Sequence, residues 1–299
     1  MLRKYYPNSI IDVVSRKPFA LQAWEKNPDI NHTFHKGLKY TIKRLAKNYD
    51  LIFEKAGIID KAFLIKNNIS YLIEEGHHEE HSADSLLKLT AKFLNHTISE
   101  ADRHYFITFD FDAIEPYLKD KGDSILVGIQ LGNGATVRYG SPFKFFFSSK
   151  KYKKRTKKRA KKLWDLDHYV NFCEQFKEKR PNTKFILTGT KQEQYLANQF
   201  TNKFPDVINC VGKTSIPSLA ALIDSLDIFI THDTGSLHVA SASNTPIVSL
   251  FSKMNFKRYG PYPYSSERHK IIFNKDGMSH ISPDEVLQVT LTMLQGQQH

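Results

Sequence analysis

Asp233, Thr234, Gly235 and Ser236 follow the apolar run Ile228-Phe-Ile230, and His238 comes two positions after the serine. A second apolar run, Pro246-Ile-Val-Ser-Leu-Phe251, comes after a stretch of small residues. The pattern reads as buried strand, polar turn, short helix and buried strand. A helix starting at such a turn leaves its first amide hydrogens unpaired, and the positive end of its dipole points the same way. That is a seat for an anion, so a phosphate-bearing small molecule is the expected ligand. His238 has two polar nitrogens and small neighbours in Ser236, Ala240, Ser241 and Ala242. It suits contact with a phosphate or hydroxyl, although packing within the helix would also account for it.

Three more polar turns follow apolar runs in the same half of the chain: Gly132-Asn-Gly134, Thr188-Gly-Thr190 with Glu193 beyond it, and Gly212-Lys-Thr214. Each alone is explained by a turn or a helix cap. Val137 stands where a dinucleotide fingerprint would have its third glycine. Together with Asp233–Ser236, the turns point to one ligand edge.

Such an edge needs a sheet behind it. Ile125–Leu131, Lys184–Leu187, Val207–Val211, Asp227–Ile230, Pro246–Leu250 and Lys270–Phe273 read as strands. Between them Ser215–Ser225 has helical spacing, with Ile216, Leu219, Leu222, Ile223 and Leu226 on one face. Strands alternating with helices predict a doubly wound α/β unit with ligands at the strands' C-terminal ends. The first third has the same rhythm: strands at Ile10–Val14, Asp50–Phe53 and Tyr105–Phe109, helices at Leu38–Lys47 and Ala83–Leu94, the latter with Leu86, Leu87, Leu89 and Phe93 on its apolar side. A polar stretch over 110–124 divides the chain into expected domains 1–120 and 121–299.

The formal charge of +12 is concentrated. Lys150–Lys162 reads KKYKKRTKKRAKK, and removing its ten charges leaves only +2 for the rest. The run closes a stretch, 140–162, that interrupts the α/β rhythm and opens with Phe143, Phe145, Phe146 and Phe147. A solvated loop, a contact with anionic lipid head groups and a nucleic-acid contact are the three readings. The lipid surface suits the phenylalanines best, and nucleic acid is the least favoured because no RNA-binding motif lies beside the run. Two cysteines, Cys173 and Cys210, lie in apolar contexts and are expected as reduced thiols. With no apolar run of about 18 residues and no signal-peptide core, the expectation is a soluble, cytoplasmic protein. His77-His-Glu-Glu-His81 lacks the His-Glu-x-x-His spacing of a zinc site and reads as a solvated turn before a helix.

The block from Gly212 to Phe251 resembles glycosyltransferase family 9, the heptosyltransferases of lipopolysaccharide synthesis. The matching segments are Gly-x-Thr with its helix, Asp233-Thr-Gly-Ser-Leu-His-Val-Ala-Ser-Ala, and Thr245-Pro-Ile-Val-Ser-Leu-Phe251. Lys162-Leu-Trp164 and Leu187-Thr-Gly189 with Glu193 match further family segments. The resemblance implies a GT-B type fold, two Rossmann-like doubly wound domains facing across a cleft. It also implies inverting transfer of a sugar, plausibly heptose from ADP-heptose, to a lipopolysaccharide core acceptor, without a metal or cofactor. Carried over by position, Asp233, Thr234, Gly235, Ser236 and His238 hold the donor diphosphate and sugar. Lys162 neutralises phosphate charge, and Thr188, Gly189 and Thr214 line the nucleotide pocket. The enzyme would be peripheral on the inner face of the inner membrane if Lys150–Lys162 binds there.

The family's opening strand and the Ser-x-Gly-Asp turn that carries its base find no match here, so the catalytic residue is unassigned. A catalytically inactive nucleotide-sugar-binding protein is therefore the second reading. A nucleotide-sugar epimerase or hydrolase of the same two-domain type is the third.

Overall fold

The computed structural model describes residues 1–15, 17–35, 39–54, 59, 61–74, 79–132, 163–252 and 256–296. The chain divides into two compact units, Met1–Thr108 and Phe109–His299. The polar stretch 110–124 packs with the second unit, where the Asp110 N–H donates to the Pro217 carbonyl at 3.2 Å.

In the second unit the six expected strands form one parallel sheet: β5 (Ile125–Gln130), β6 (Thr183–Thr188), β7 (Val207–Asn209), β8 (Ile228–His232), β9 (Ile247–Phe251) and β10 (His269–Phe273). Their order is β10-β9-β8-β5-β6-β7. The chain starts in the middle with β5, winds outward through β6 and β7, then crosses back to β8 and winds the other way. This is a doubly wound sheet whose order reverses between β5 and β8. All five residues of β8 and of β9 are buried, as expected when helices cover both faces.

The core lies largely between β5, β6 and the helices Leu166–Lys179 and Pro283–Gln295. Phe172, Phe176 and Phe185, each with no exposed surface, meet with ring centroids 5.7 to 6.4 Å apart. Trp164, which opens this helical region, donates its indole N–H to the Ile281 carbonyl at 2.8 Å. Cys173 and Cys210 are both free and buried. Burial pushes the Cys210 thiol up to about 12 and that of Cys173 upward as well.

The first unit holds two parallel pairs, β1 (Asp12–Ser15) with β2 (His32–His35) and β3 (Ile52–Glu54) with β4 (Tyr71–Ile73). Its helices include α1 (Lys39–Ala46), α2 (Lys61–Lys66) and α3 (Ser82–Leu94). The start of α3 is capped by His81, whose Nδ1 accepts the Ala83 N–H at 3.1 Å, and Asn95 ends it in the left-handed region. His81 is thus a helix cap, while His77 and His78 lie outside the described residues.

Two expectations need correction. Tyr105–Phe109 does not form a strand with any of the described residues, and the Thr108 hydroxyl donates to the Glu25 carbonyl. On α3 the buried residues are Ser85, Thr90 and Ala91, whereas Leu86, Leu87 and Leu89 are half-buried and Phe93 is exposed. Among the described residues no helix is long and apolar enough to cross a membrane.

Candidate functional site

β8 ends at His232 and delivers Asp233 and Thr234 to the C-terminal edge of the sheet, at the switch point beside β5. The six-residue helix Gly235–Ala240 begins there, with Thr234 as an extended N-cap whose side chain does not cap it. The Thr234 hydroxyl is turned sideways, 2.7 Å from the Ser236 hydroxyl and 3.4 Å from that of Thr231. The hydroxyl that normally pairs with a first-turn amide is therefore spent elsewhere. Gly235 is exposed, and a Cβ built on it meets nothing within 4 Å. Space opens in front of the turn. Leu237, Val239 and Ala240 are buried and anchor the short helix from behind.

His238, on the second turn of this helix, is partly enclosed. Burial lowers its pKa below the ordinary imidazole value, and the nearby Asp233 carboxylate pulls the other way. The ring is neutral at pH 7, ready both to donate and to accept a hydrogen bond.

The neighbouring strands supply a buried polar network. Gln130, the last residue of β5, donates through Nε2 to the Gly132 carbonyl at 2.9 Å and reaches Glu193 Oε2 at 3.5 Å. Thr188, the last residue of β6, donates its hydroxyl to Gln130 Oε1 at 3.1 Å. The Tyr169 hydroxyl donates to the Gln130 carbonyl at 3.0 Å. Glu193 Oε2 accepts the Thr190 N–H at 2.6 Å and the Thr190 hydroxyl at 3.1 Å, which closes the Thr190–Glu193 turn. Burial raises the Glu193 pKa, and these three donors oppose the rise.

Asp233, Thr234, Gly235, Ser236 and His238 thus share one turn and helix start at the end of β8. Thr188 and Gly189 end β6 on the other side of β5, with Thr188 directed into the network. Thr214 is half-buried and stands just before Ser215, the cap of the helix Ile216–Asp224 after β7. Gly212 ties that loop to the β6 loop by donating its N–H to the Gly189 carbonyl at 2.8 Å. Its φ of +73° suits glycine, and a Cβ would lie 2.7 Å from the Lys191 backbone. Lys162, Gly134 and the basic run Lys150–Lys162 lie outside the described residues. Gln130 and Tyr169 escaped the sequence reading. Gln130 had one signal, a lone amide closing the apolar run Ile125-Leu-Val-Gly-Ile.

The chain is 28% identical over 106 residues to the lipopolysaccharide core heptosyltransferase OpsX of Haemophilus influenzae, a match covering 35% of this chain and 30% of that protein's length. Among solved structures, a family 9 glycosyltransferase from Veillonella parvula superposes with a TM-score of 0.74 at 18% identity, covering 98% of this chain and 90% of that one. E. coli ADP-heptose lipopolysaccharide heptosyltransferase II gives a TM-score of 0.70 at 15% identity, covering 100% and 93%. These likenesses establish the GT-B type fold. The sequence profile described as glycosyltransferase family 9 (heptosyltransferase) matches residues 41–281, most of the molecule, and the chain belongs to that family.

Proposed function

We propose that the protein transfers a heptose from ADP-heptose to a lipopolysaccharide core acceptor, with inversion at the anomeric carbon and without a metal. The observation that carries this reading is the open, uncapped turn Asp233–Ser236 at the switch point of a family 9 sheet. In this reading the amides that open the Gly235 helix receive the donor diphosphate. Negative charge grows on that group as the sugar–phosphate bond breaks, and donors already aimed at it lower the barrier. His238, neutral in the free protein, adds a hydrogen bond to the bound phosphate. Thr188, Gly189 and Thr214 line the nucleotide side, and Lys162 offsets phosphate charge. The acceptor hydroxyl must lose a proton as it attacks, and the group that takes it is unassigned.

The basic run Lys150–Lys162 would hold the enzyme on anionic lipid at the inner face of the inner membrane, each charge contributing on the order of 1 kcal/mol. Deleting it should reduce sedimentation with anionic vesicles, and undiminished sedimentation would remove the anchor from the scheme.

Calorimetry with ADP and ADP-heptose tests the donor site. Asp233→Ala and His238→Ala should each weaken binding about tenfold or more, roughly 1.4 kcal/mol. Unchanged affinity in both would overturn the assignment. Donor binding without transfer to a core acceptor would favour the second reading, a catalytically inactive nucleotide-sugar-binding protein.

A further inference from the structure

Tyr5, His96 and Asp102 form a hydrogen-bonded relay in the first unit. The Tyr5 hydroxyl meets His96 Nδ1 at 2.6 Å, and His96 Nε2 meets Asp102 Oδ2 at 2.9 Å. The carboxylate is itself oriented, because the Ser99 N–H and hydroxyl both donate to Oδ2 at 2.8 Å. These bonds, that of His96 foremost, hold Asp102 well below the usual carboxylate range, so it is ionised and can only accept. A neutral His96 ring therefore keeps its hydrogen on Nε2 and presents the Nδ1 lone pair to Tyr5. The phenol is left to donate. Its proton points at a base, and a third group orients that base, which is the arrangement of an activated nucleophile.

Exposure follows the same division of roles. The His96 and Asp102 side chains are 14% and 12% exposed, whereas Tyr5 is 41% exposed. Base and orienting group are shielded, and the nucleophile's residue is open. The bond from Tyr5 is not needed to hold its short helix, Leu2–Tyr5, in place. Arg3 does that by donating to the carbonyls of Tyr6, Pro7, Ser9 and Asp29 and to Asn31 Oδ1. Arg103, on the turn after Ser99, is paired with Asp84 and Glu100. Both guanidinium groups are thus engaged, and the surface beside the relay is apolar. Tyr6 follows Tyr5, Phe93 lies one turn before His96, and their exposed rings pack with centroids 6.4 Å apart. Phe93 also meets Phe53 edge-on at 5.9 Å.

We propose that Tyr5 is a covalent acyl acceptor, with His96 as its base and Asp102 positioning that base, and that its substrate is an activated ester or thioester with an apolar chain. The Tyr5 oxygen bonds to the acyl carbon as the bond from that carbon to the leaving oxygen or sulfur breaks. The phenol proton passes to His96 Nδ1, where the Asp102 carboxylate stabilises the imidazolium, and then to the leaving group. The apolar chain lies on Tyr6 and Phe93. This site is independent of the donor-site reading.

The probes are p-nitrophenyl octanoate and p-nitrophenyl acetate, mixed with the full chain, quenched in acid and mapped by peptide mass spectrometry. Tyr195 is the internal control, being 60% exposed with its hydroxyl bonded to the Gln199 amide. Octanoyl should appear on Tyr5 at least about tenfold faster than on Tyr195, and Asp102→Asn should remove most of that advantage. Tyr5→Phe should lose the adduct. The pH dependence of the unaltered protein tests the relay without any variant. Acylation of Tyr5 should level off by about pH 8, above an imidazole's ordinary value of about 6.5, while that of Tyr195 keeps rising toward about 10. Equal labelling of Tyr5 and Tyr195, or a Tyr5 rate that climbs alongside that of Tyr195, overturns the proposal. Acetyl transferred to Tyr5 as readily as octanoyl overturns the apolar-chain substrate.

Discussion

A Cβ built on Gly132 would stand 2.4 Å from Oε1 of Glu193 and 2.7 Å from its Cγ. Glu193 is buried and held by Thr190 and Gln130, so it occupies the volume that glycine vacates just after β5. The end of β5 and the β6 loop are thereby locked together at the C-terminal edge of the sheet. Gly132→Ala should force the carboxylate out of its bonds and destabilise the protein by about 1–3 kcal/mol, the usual cost of overpacking. Urea unfolding would measure it, and an unchanged midpoint would show that Glu193 moves aside freely.

Gly235 predicts the opposite balance. Its Cβ direction is empty and its φ is not in the left-handed region, so Gly235→Ala should change stability by no more than about 0.5 kcal/mol. The new methyl would stand in the open mouth of the turn, and ADP affinity should fall about tenfold. A folded variant that binds ADP as well as the parent would place the ligand elsewhere.

Much of this was legible in the residues. Four strands of the second unit, β5 to β8, are short apolar runs ending in glycine-bearing turns, and β8 and β9, covered on both faces, have little choice of composition. The Asp233 turn was legible because it joins two such runs. The first unit was harder to read. Tyr105–Phe109 has strand composition, but a strand also needs a partner, and partners are a matter of topology. On α3 the buried positions are Ser85, Thr90 and Ala91, which a search for large apolar side chains does not pick out. The Gln130 network was hidden because its members are dispersed between positions 130 and 193 and converge only when β5 and β6 pair.

Asp102 gives a prediction for the acid limb of stability. Its Oδ2 accepts from Ser99 N–H and hydroxyl, both at 2.8 Å, and meets His96 Nε2 at 2.9 Å, while His96 Nδ1 meets the Tyr5 hydroxyl at 2.6 Å. The His96 bond foremost, then the Ser99 bonds, hold this carboxyl well below the usual range. A depressed carboxylate contributes stability that is complete above the unfolded value of about 3.9 and is lost as pH falls toward the folded value. Asp102→Asn should therefore lower the urea midpoint at pH 7 and leave a shallower decline below about pH 4. Parallel curves for the two proteins would show that Asp102 contributes nothing to acid unfolding.

His238 links the ligand edge to pH. Burial lowers its pKa and the Asp233 carboxylate opposes that, so in the free protein the ring is neutral down to below about 6.5. The unfolded chain takes up a proton first as pH falls, and this site then costs the folded state stability. A diphosphate seated on the Asp233 turn would reverse the balance, because a nearby anion favours the imidazolium. Binding of ADP should thus be accompanied by proton uptake and should tighten as pH drops from 7.5 toward 6. Calorimetry in buffers of different ionisation enthalpy reads that uptake directly. His238→Gln should abolish it while retaining a hydrogen-bonding group. Asp233→Asn should leave the ring harder still to protonate in the free protein. Proton uptake that persists in His238→Gln would assign the coupling to another group and separate His238 from the bound phosphate.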